Sequence, residues 1–138
     1  MKSVDLIIID DDAEELFIME GAMRSAGLFA STMGISSFKD LVNFLFSIKE
    51  PKDYPSLILA DYDMPKMNGE QVFNWLQKYP NFKKIRFAMY SSFMNESLRQ
   101  KLYNAGVYHT FEKPYSDADL KKLVEKIQAI VSGKESLI

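Results

Sequence analysis

Four sets of acidic, hydroxyl and amine residues stand where short apolar runs end. Asp10-Asp11-Asp12 follows Leu6-Ile7-Ile8-Ile9, Asp61 follows Leu57-Ile58-Leu59-Ala60, Ser91 follows Ile85 to Tyr90, and Lys113 with Pro114 follows Tyr108 to Glu112. An open α/β sheet gathers its ligands beyond the carboxyl ends of its strands. Carboxylates with one hydroxyl and one amine are the inventory for holding Mg²⁺ and a phosphoryl group. Three consecutive aspartates at the top of a buried strand repel one another, and a bound cation is the simplest remedy. Mg²⁺ takes oxygen ligands, keeps several waters and is held by one or two carboxylates plus phosphate oxygens. Asp11 and Asp61, from neighbouring strands, can supply that pair. The competing role for Asp11 or Asp12 is to cap the helix that follows.

Asp61 leads the run Asp61-Tyr62-Asp63-Met64-Pro65-Lys66-Met67-Asn68-Gly69, in which Pro65 and Gly69 interrupt regular structure. A carboxylate can attack phosphorus to form an acyl phosphate, provided cations neutralise the transferring oxygens. Lys113 is the candidate cation. The tertiary Lys113–Pro114 amide is able to adopt the cis form, and a tight turn there would aim the lysine. Ser91 offers a hydroxyl that can bond a phosphoryl oxygen.

The elements that must position these groups alternate between apolar strand-like runs and segments of helical period, the pattern of a parallel sheet covered on both faces. Leu6 to Ile9 precedes a helix predicted from Ala13 to Ala26, with Leu16, Met19 and Met23 inward and Gly27 ending it. A second strand is predicted over Phe29 to Met33. Phe38, Leu41, Val42, Leu45 and Phe46 recur at the spacing of one buried helix face. Pro51 and Pro55 mark a polar connection to the strand Leu57 to Ala60, and Gly69 to Tyr79 reads as the third helix, carrying Trp75. Asn95 and Gly106 bracket a fourth helix. Ser116 with Asp119 has capping-box spacing and opens a fifth, with Leu120, Leu123, Val124, Ile127, Ile130 and Val131 inward. The chain of 138 residues is expected to form one domain over 1–138, with a core of about 4–131 and a tail over 132–138.

Composition narrows the function classes. Seventeen basic against nineteen acidic residues, dispersed along the chain, argue against nucleic acid as a direct partner. The absence of cysteine rules out a disulfide framework or a thiolate metal site, and the one histidine, His109, cannot build a multi-histidine site. No apolar segment reaches signal-peptide or membrane-spanning length, so a protein without membrane association, in the cytoplasm, is expected. The eight methionines read as core fillers, and no glycine-rich phosphate loop supports nucleotide binding.

Taken in order, the motifs resemble the receiver domain of two-component response regulators. The matching pieces are Ile8-Ile9-Asp10-Asp11-Asp12, Asp61-x-x-Met64-Pro65-x-Met67-x-Gly69, Met89-Tyr90-Ser91-Ser92 and Lys113-Pro114. Thirty residues lie from Asp61 to Ser91 and twenty-two from Ser91 to Lys113, as in that family. The resemblance implies a doubly wound (βα)5 flavodoxin-like fold whose five-stranded parallel sheet has the order 2-1-3-4-5. It implies that Asp61 is the phosphoacceptor, that Asp11 binds Mg²⁺ directly and Asp10 through water, and that the backbone carbonyl of Asp63 is a further metal ligand. Lys113 would pair with Asp61 or its phosphate, Ser91 would turn inward to the phosphate, and small Ser92 would leave that phosphate accessible. The implied donors are a sensor histidine kinase, a histidine phosphotransfer protein or a small phosphodonor. The switched face would be that of the fourth helix, fifth strand and fifth helix, where Tyr103 and Tyr115 stand.

Output through a downstream protein target or onward phosphotransfer is expected, since no DNA-binding or enzymatic segment follows Ile138, and a phosphorylation-linked homodimer fits the same family. The chain is expected to be a signalling phosphoacceptor with self-catalysed phosphorylation and dephosphorylation rather than an enzyme. Three departures from the family pattern stand out. Thr110 occupies the place of the usual Tyr or Phe three residues before the lysine, Asp63 adds a carboxylate beside the acceptor, and the fifty residues from Asp11 to Asp61 exceed the usual interval, with the excess expected around Lys49 to Tyr54. The alternatives are a phosphorylation-independent module of the same fold, and a Mg²⁺-dependent phosphatase using Asp10 and Asp12. The phosphatase pattern calls for Thr or Val where Glu14 stands.

Overall fold

The computed structural model describes residues 4–27 and 31–133. Five strands, β1 (Leu6–Ile9), β2 (Thr32–Ile35), β3 (Leu57–Asp61), β4 (Arg86–Ser91) and β5 (His109–Glu112), alternate with five helices. The helices are α1 (Ala13–Ser25), α2 (Phe38–Ser47), α3 (Gly69–Gln77), α4 (Glu96–Ala105) and α5 (Asp117–Ser132). The strands form one parallel sheet in the order β2-β1-β3-β4-β5, as the resemblance implied. Among the described residues no helix is long and apolar enough to cross a membrane.

The central strands are apolar without interruption because both of their faces are buried. Alternate residues divide between two cores, as the two-residue period of a strand requires. Ile7, Ile9, Ile58, Ala60, Phe87 and Met89 pack with residues of α2, α3 and α4. Leu6, Ile8, Leu57, Leu59, Ala88 and Tyr90 pack with α1 and α5. The α5 residues Leu123, Val124, Ile127 and Ile130 are buried as their spacing predicts.

The helix ends follow local chemistry. Asn68 and Gln71 form a reciprocal cap on α3, each side-chain oxygen accepting the other's backbone N–H at 2.9 Å. Asn95 and Ser116 accept from Leu98 and Asp119 N–H groups at 2.8 and 3.1 Å. Asp119 completes no reciprocal box, because its carboxylate accepts from the N–H of Tyr115, at 3.4 Å, and not from that of Ser116. Gly106 ends α4 in the left-handed region, at φ 108°.

Several boundaries differ from expectation. The second strand is described from Thr32 and runs on through Gly34 to Ile35; the expected start at Phe29 falls in residues 28–30, which lie outside the described part. Gly34 admits α1, since a Cβ there would meet the Glu20 carboxylate at 2.0 Å and Leu16 Cγ at 2.9 Å. Strands β3 and β4 each run one residue further than predicted, so Asp61 and Ser91 are the last residues of their strands. Phe46 is 56% exposed and not part of the buried face of α2; its ring packs edge-on to Trp75, Tyr79 and Phe82 at 5.1–6.1 Å between centroids. The connection after α2 is shaped by a short 3-10 turn, Pro51–Asp53. Residues 134–138 of the expected tail lie outside the described part, and α5 itself extends to Ser132.

Candidate functional site

The strand order reverses direction between β1 and β3, where an open sheet leaves a crevice at its carboxyl edge. Register brings the acidic residues there. Ile9 pairs with Ala60, so the next residues, Asp10 and Asp61, emerge side by side. Asp61 in turn lies beside Tyr90, and Ser91 beside Glu112. The Lys113 N–H donates to the Ser91 carbonyl at 3.0 Å, extending the β4–β5 ladder. No described peptide bond is cis, so the Lys113–Pro114 bond is trans, and the lysine is aimed by that ladder instead.

Asp10, Asp11 and Asp61 each offer a carboxylate oxygen within 4.8 Å of the other two. Asp10 is wholly buried and Asp61 is 3% exposed, whereas Asp11 is exposed. Both Asp10 oxygens are engaged: Oδ1 accepts from the Asp12 N–H at 2.9 Å, and Oδ2 accepts from the Tyr90 hydroxyl. Burial pushes the Asp10 carboxyl up to about 7, against the lowering effect of those two donors, and neighbouring Asp61 raises it further. Asp12 is the N-cap of α1, accepting from Glu14 and Glu15 N–H groups at 3.0 and 3.2 Å.

Asp61 Oδ1 accepts from the Asp63 N–H at 2.9 Å, and Oδ2 from Lys113 Nζ at 3.1 Å. Burial raises the Asp61 pKa more than these donors lower it. For Lys113 burial works against the ammonium, but the Glu15 carboxylate at 2.8 Å and then Asp61 outweigh it, and its pKa lies above the usual lysine value. The Lys113 ammonium also lies 5.3 Å from the centre of the Tyr90 ring.

Ser91 is buried at the end of β4, and its hydroxyl donates to Asp63 Oδ2 at 2.9 Å. The Ser92 N–H approaches the same oxygen at 3.4 Å, and the Phe93 N–H donates to Ser91 Oγ at 3.1 Å. The side chain of Asp63 therefore ties the β4–α4 loop to the β3–α3 loop, while its backbone N–H touches the Asp61 carboxylate. Thr110 is buried and accepts from Arg99 at 3.2 Å, and the Tyr103 hydroxyl lies 3.1 Å from both its N and its Oγ1. An aromatic ring from α4 thus reaches position 110 from outside the strand.

All seven site residues read from sequence, Asp10, Asp11, Asp61, Asp63, Ser91, Ser92 and Lys113, lie at this edge of the sheet. Two more belong to it that were given no role in the sequence. Tyr90, though within the Met89-Tyr90-Ser91-Ser92 match, reads as one more apolar strand residue. Glu15 reads as an ordinary acidic residue in the first turn of a helix, and only the fold brings it to Lys113.

A sequence model of the response regulator receiver domain matches residues 6–125. The chain is 26% identical to the sensor histidine kinase CheAY of Helicobacter pylori over 123 residues, which are 88% of this chain and 14% of that protein. A hybrid signal transduction histidine kinase of Dictyostelium discoideum is 30% identical over 83 residues, 60% of this chain and 5% of that protein. The chain therefore spans a small part of these two kinases. It covers 93% of a probable chemotaxis protein CheY of Rhizobium etli, at 22% identity and 91% of its own length. Among solved structures, the phosphorylated cyanobacterial phytochrome response regulator RcpA superposes with a TM-score of 0.77, at 19% identity, over 97% of this chain and 98% of that one. The Mn²⁺-bound form of response regulator Rcp1 superposes at 0.75, with 20% identity and coverage of 97% and 99%. These likenesses concern the fold.

Proposed function

The chain belongs to the response regulator receiver domain family of two-component signalling, and from that premise we propose that Asp61 accepts a phosphoryl group and that the new charge resets a protein-binding face. The observation that carries this reading is the pairing of a buried carboxylate with a half-buried amine. Asp61 Oδ2 and Lys113 Nζ stand 3.1 Å apart, at the end of the strand that adjoins the Asp10–Asp11 pair.

In the proposed transfer an Asp61 oxygen attacks phosphorus, forming the acyl phosphate O–P bond. The donor's P–N bond breaks if the donor is a phosphohistidine, or its P–O bond if it is a small acyl phosphate. Lys113 pairs with developing charge on the phosphoryl oxygens, and the Asp63 N–H steadies the acceptor carboxylate. The donor set of hard carboxylate oxygens fits Mg²⁺, with Asp11 and Asp61 as direct ligands, Asp10 acting through water and the Asp63 carbonyl as a further ligand. A bound Mg²⁺ supplies positive charge to the transferring oxygens. The groups at work belong to the chain itself, so transfer and hydrolysis are self-catalysed on this reading.

After transfer the dianionic phosphoryl group draws the Ser91 hydroxyl away from Asp63, and the loop from Ser91 to Phe93 resettles. Ser92, small and half-buried, leaves room beside the phosphate. Tyr103 and Arg99, both bonded to Thr110, connect that loop and α4 to β5, so the α4–β5–α5 face is the surface on which a downstream protein reads the change. A histidine kinase or phosphotransfer protein is the donor class that the family implies, in the cytoplasmic compartment where such kinases act.

Intact mass after incubation with Mg²⁺ and acetyl phosphate tests this reading. One added phosphoryl group is expected for the wild-type chain and none for Asp61→Asn or for a chelated sample. Stoichiometric labelling of Asp61→Asn would refute the acceptor assignment. Failure of the wild-type chain to take either a phosphoryl group or beryllofluoride would favour the phosphorylation-independent module.

A further inference from the structure

We propose that Glu15 is a positioning residue for phosphoryl transfer, which shares the Lys113 ammonium with Asp61 and so sets the balance between cation and phosphoryl affinity at the acidic cluster. The inference rests on the phosphoacceptor reading and deepens it.

Local chemistry explains why Glu15 is available. Asp12 and Glu15 have the spacing of a reciprocal helix cap, in which the third helical residue reaches back to the backbone N–H of the N-cap. That N–H is already taken, because Asp12 donates to Asp10 Oδ1 at 2.9 Å. The Glu15 carboxylate is thereby released from capping. It crosses instead to Lys113 Nζ at 2.8 Å, closer than the 3.1 Å of Asp61. Its backbone is held at the same time, the Glu15 N–H donating to Asp12 Oδ1 at 3.2 Å. The carboxylate is therefore presented by the first turn of a capped helix and not by a loose loop. The lysine side chain is 13% exposed and that of Glu15 is 41% exposed, which puts the ammonium inside and the glutamate at the mouth.

The electrostatic consequence follows from counting charges. Lys113 has three N–H donors, and two are spent on two carboxylates. With the Glu15 carboxylate in place, the ammonium is shared between two carboxylates and the acidic cluster keeps a more negative field, which favours a divalent cation and disfavours an incoming phosphoryl anion. With that carboxylate replaced by an uncharged amide, the ammonium falls wholly to Asp61 and the field becomes more positive. Cation binding then weakens and anion binding strengthens. A damaged fold would weaken both, so the opposite signs separate a charge-sharing role from a structural one.

The experiment compares the full chain with Glu15→Gln and Glu15→Asp, measuring Mg²⁺ affinity alone and then beryllofluoride affinity at saturating Mg²⁺. For Glu15→Gln, Mg²⁺ binding is expected to weaken by about threefold or more and beryllofluoride binding to tighten by a similar factor. Glu15→Asp keeps the charge and is expected to stay within about twofold of wild type on both measures. Loss of both affinities in Glu15→Gln, or no change in either, would overturn the proposal, as would Glu15→Asp behaving like Glu15→Gln. A wild-type chain that binds Mg²⁺ but no beryllofluoride defeats the phosphoacceptor reading itself, and this inference with it.

Discussion

The hydroxyl of Tyr90 on β4 donates to Asp10 at the end of β1, reaching past β3, the strand that separates them. The same ring lies against the Lys113 ammonium, so one buried phenol contacts both the acidic and the basic side of the site. Burial, and then the neighbouring Asp10 charge, push the phenol well above the usual tyrosine range, which keeps it a proton donor throughout physiological pH.

Removing that donor strands a buried carboxylate. Tyr90→Phe should destabilise the metal-free chain by about 1–3 kcal/mol, measured by urea unfolding at pH 7. Mg²⁺ affinity at pH 7 should fall as well, since the lost hydrogen bond favoured the ionised form of Asp10. Unchanged values on both measures would show that the contact contributes nothing.

The pH dependence of stability should run opposite to that of an ordinary paired carboxylate. Asp10 rises from 3.8 to about 7 on folding, so the folded chain binds the extra proton. Its contribution to stability is fully present below about pH 4 and is lost as pH climbs through about 7. Asp61, raised in the same direction, adds to this trend. In chelator the wild-type chain should lose stability from pH 5 to pH 8 by on the order of 2 kcal/mol relative to Asp10→Asn. Mg²⁺ should restore much of the loss at pH 8, and parallel curves for the two proteins would contradict the assignment.

Lys113→Ala removes the cation bonded to Asp61. Mg²⁺ should bind more tightly, by at least about threefold, because the cluster loses a competing positive charge. Phosphorylation by acetyl phosphate should slow by about tenfold or more. The chemical shifts of α4 and β5 should then fail to respond to beryllofluoride. A wild-type response in the variant would remove Lys113 from the coupling.

Gly69 begins α3 where the backbone passes close under the acceptor. An added Cβ would lie 2.9 Å from the Asp61 carbonyl oxygen, 3.1 Å from Met89 Sδ and 3.2 Å from Tyr62 Cα. Two of these three neighbours are backbone atoms with little freedom to yield. Gly69→Ala should cost about 1–3 kcal/mol of stability and slow phosphorylation by displacing Asp61. A calorimetric scan and the acetyl phosphate assay check the two effects together.

Much of the fold was legible because its signals are local and periodic. The two-residue alternation of a half-buried strand is absent from β1, β3 and β4, and that absence itself marks a sheet covered on both faces. The caps at Asn95, Ser116 and Gly106 follow from side-chain chemistry alone. What escaped was decided by tertiary packing. Gly34 sits within a strand because Glu20 and Leu16 from α1 need the space, and Phe46 points outward because rings from α3 and the segment after it accept its edge. At the site, the aspartates, Ser91 and Lys113 were marked by standing at strand ends. Glu15 and Tyr90 were not, since a first-turn glutamate has a routine capping use and a tyrosine in a strand has a routine packing use. Only the register of β1 against β3, and of β3 against β4, brings the phenol to Asp10.

Trp75, the single tryptophan, is held among Phe38, Phe46, Tyr79 and Phe82 with ring centroids 4.7–6.1 Å away. It stands six residues beyond Gly69, about 9 Å along the helix axis from the end nearest Asp61. Its intrinsic fluorescence should therefore report the melting of the α2–α3 aromatic cluster and stay quiet during phosphorylation. An optical reporter of the switch has to be introduced elsewhere, and Phe93, 80% exposed on the loop that Ser91 anchors, is the place for a tryptophan whose emission would follow that loop.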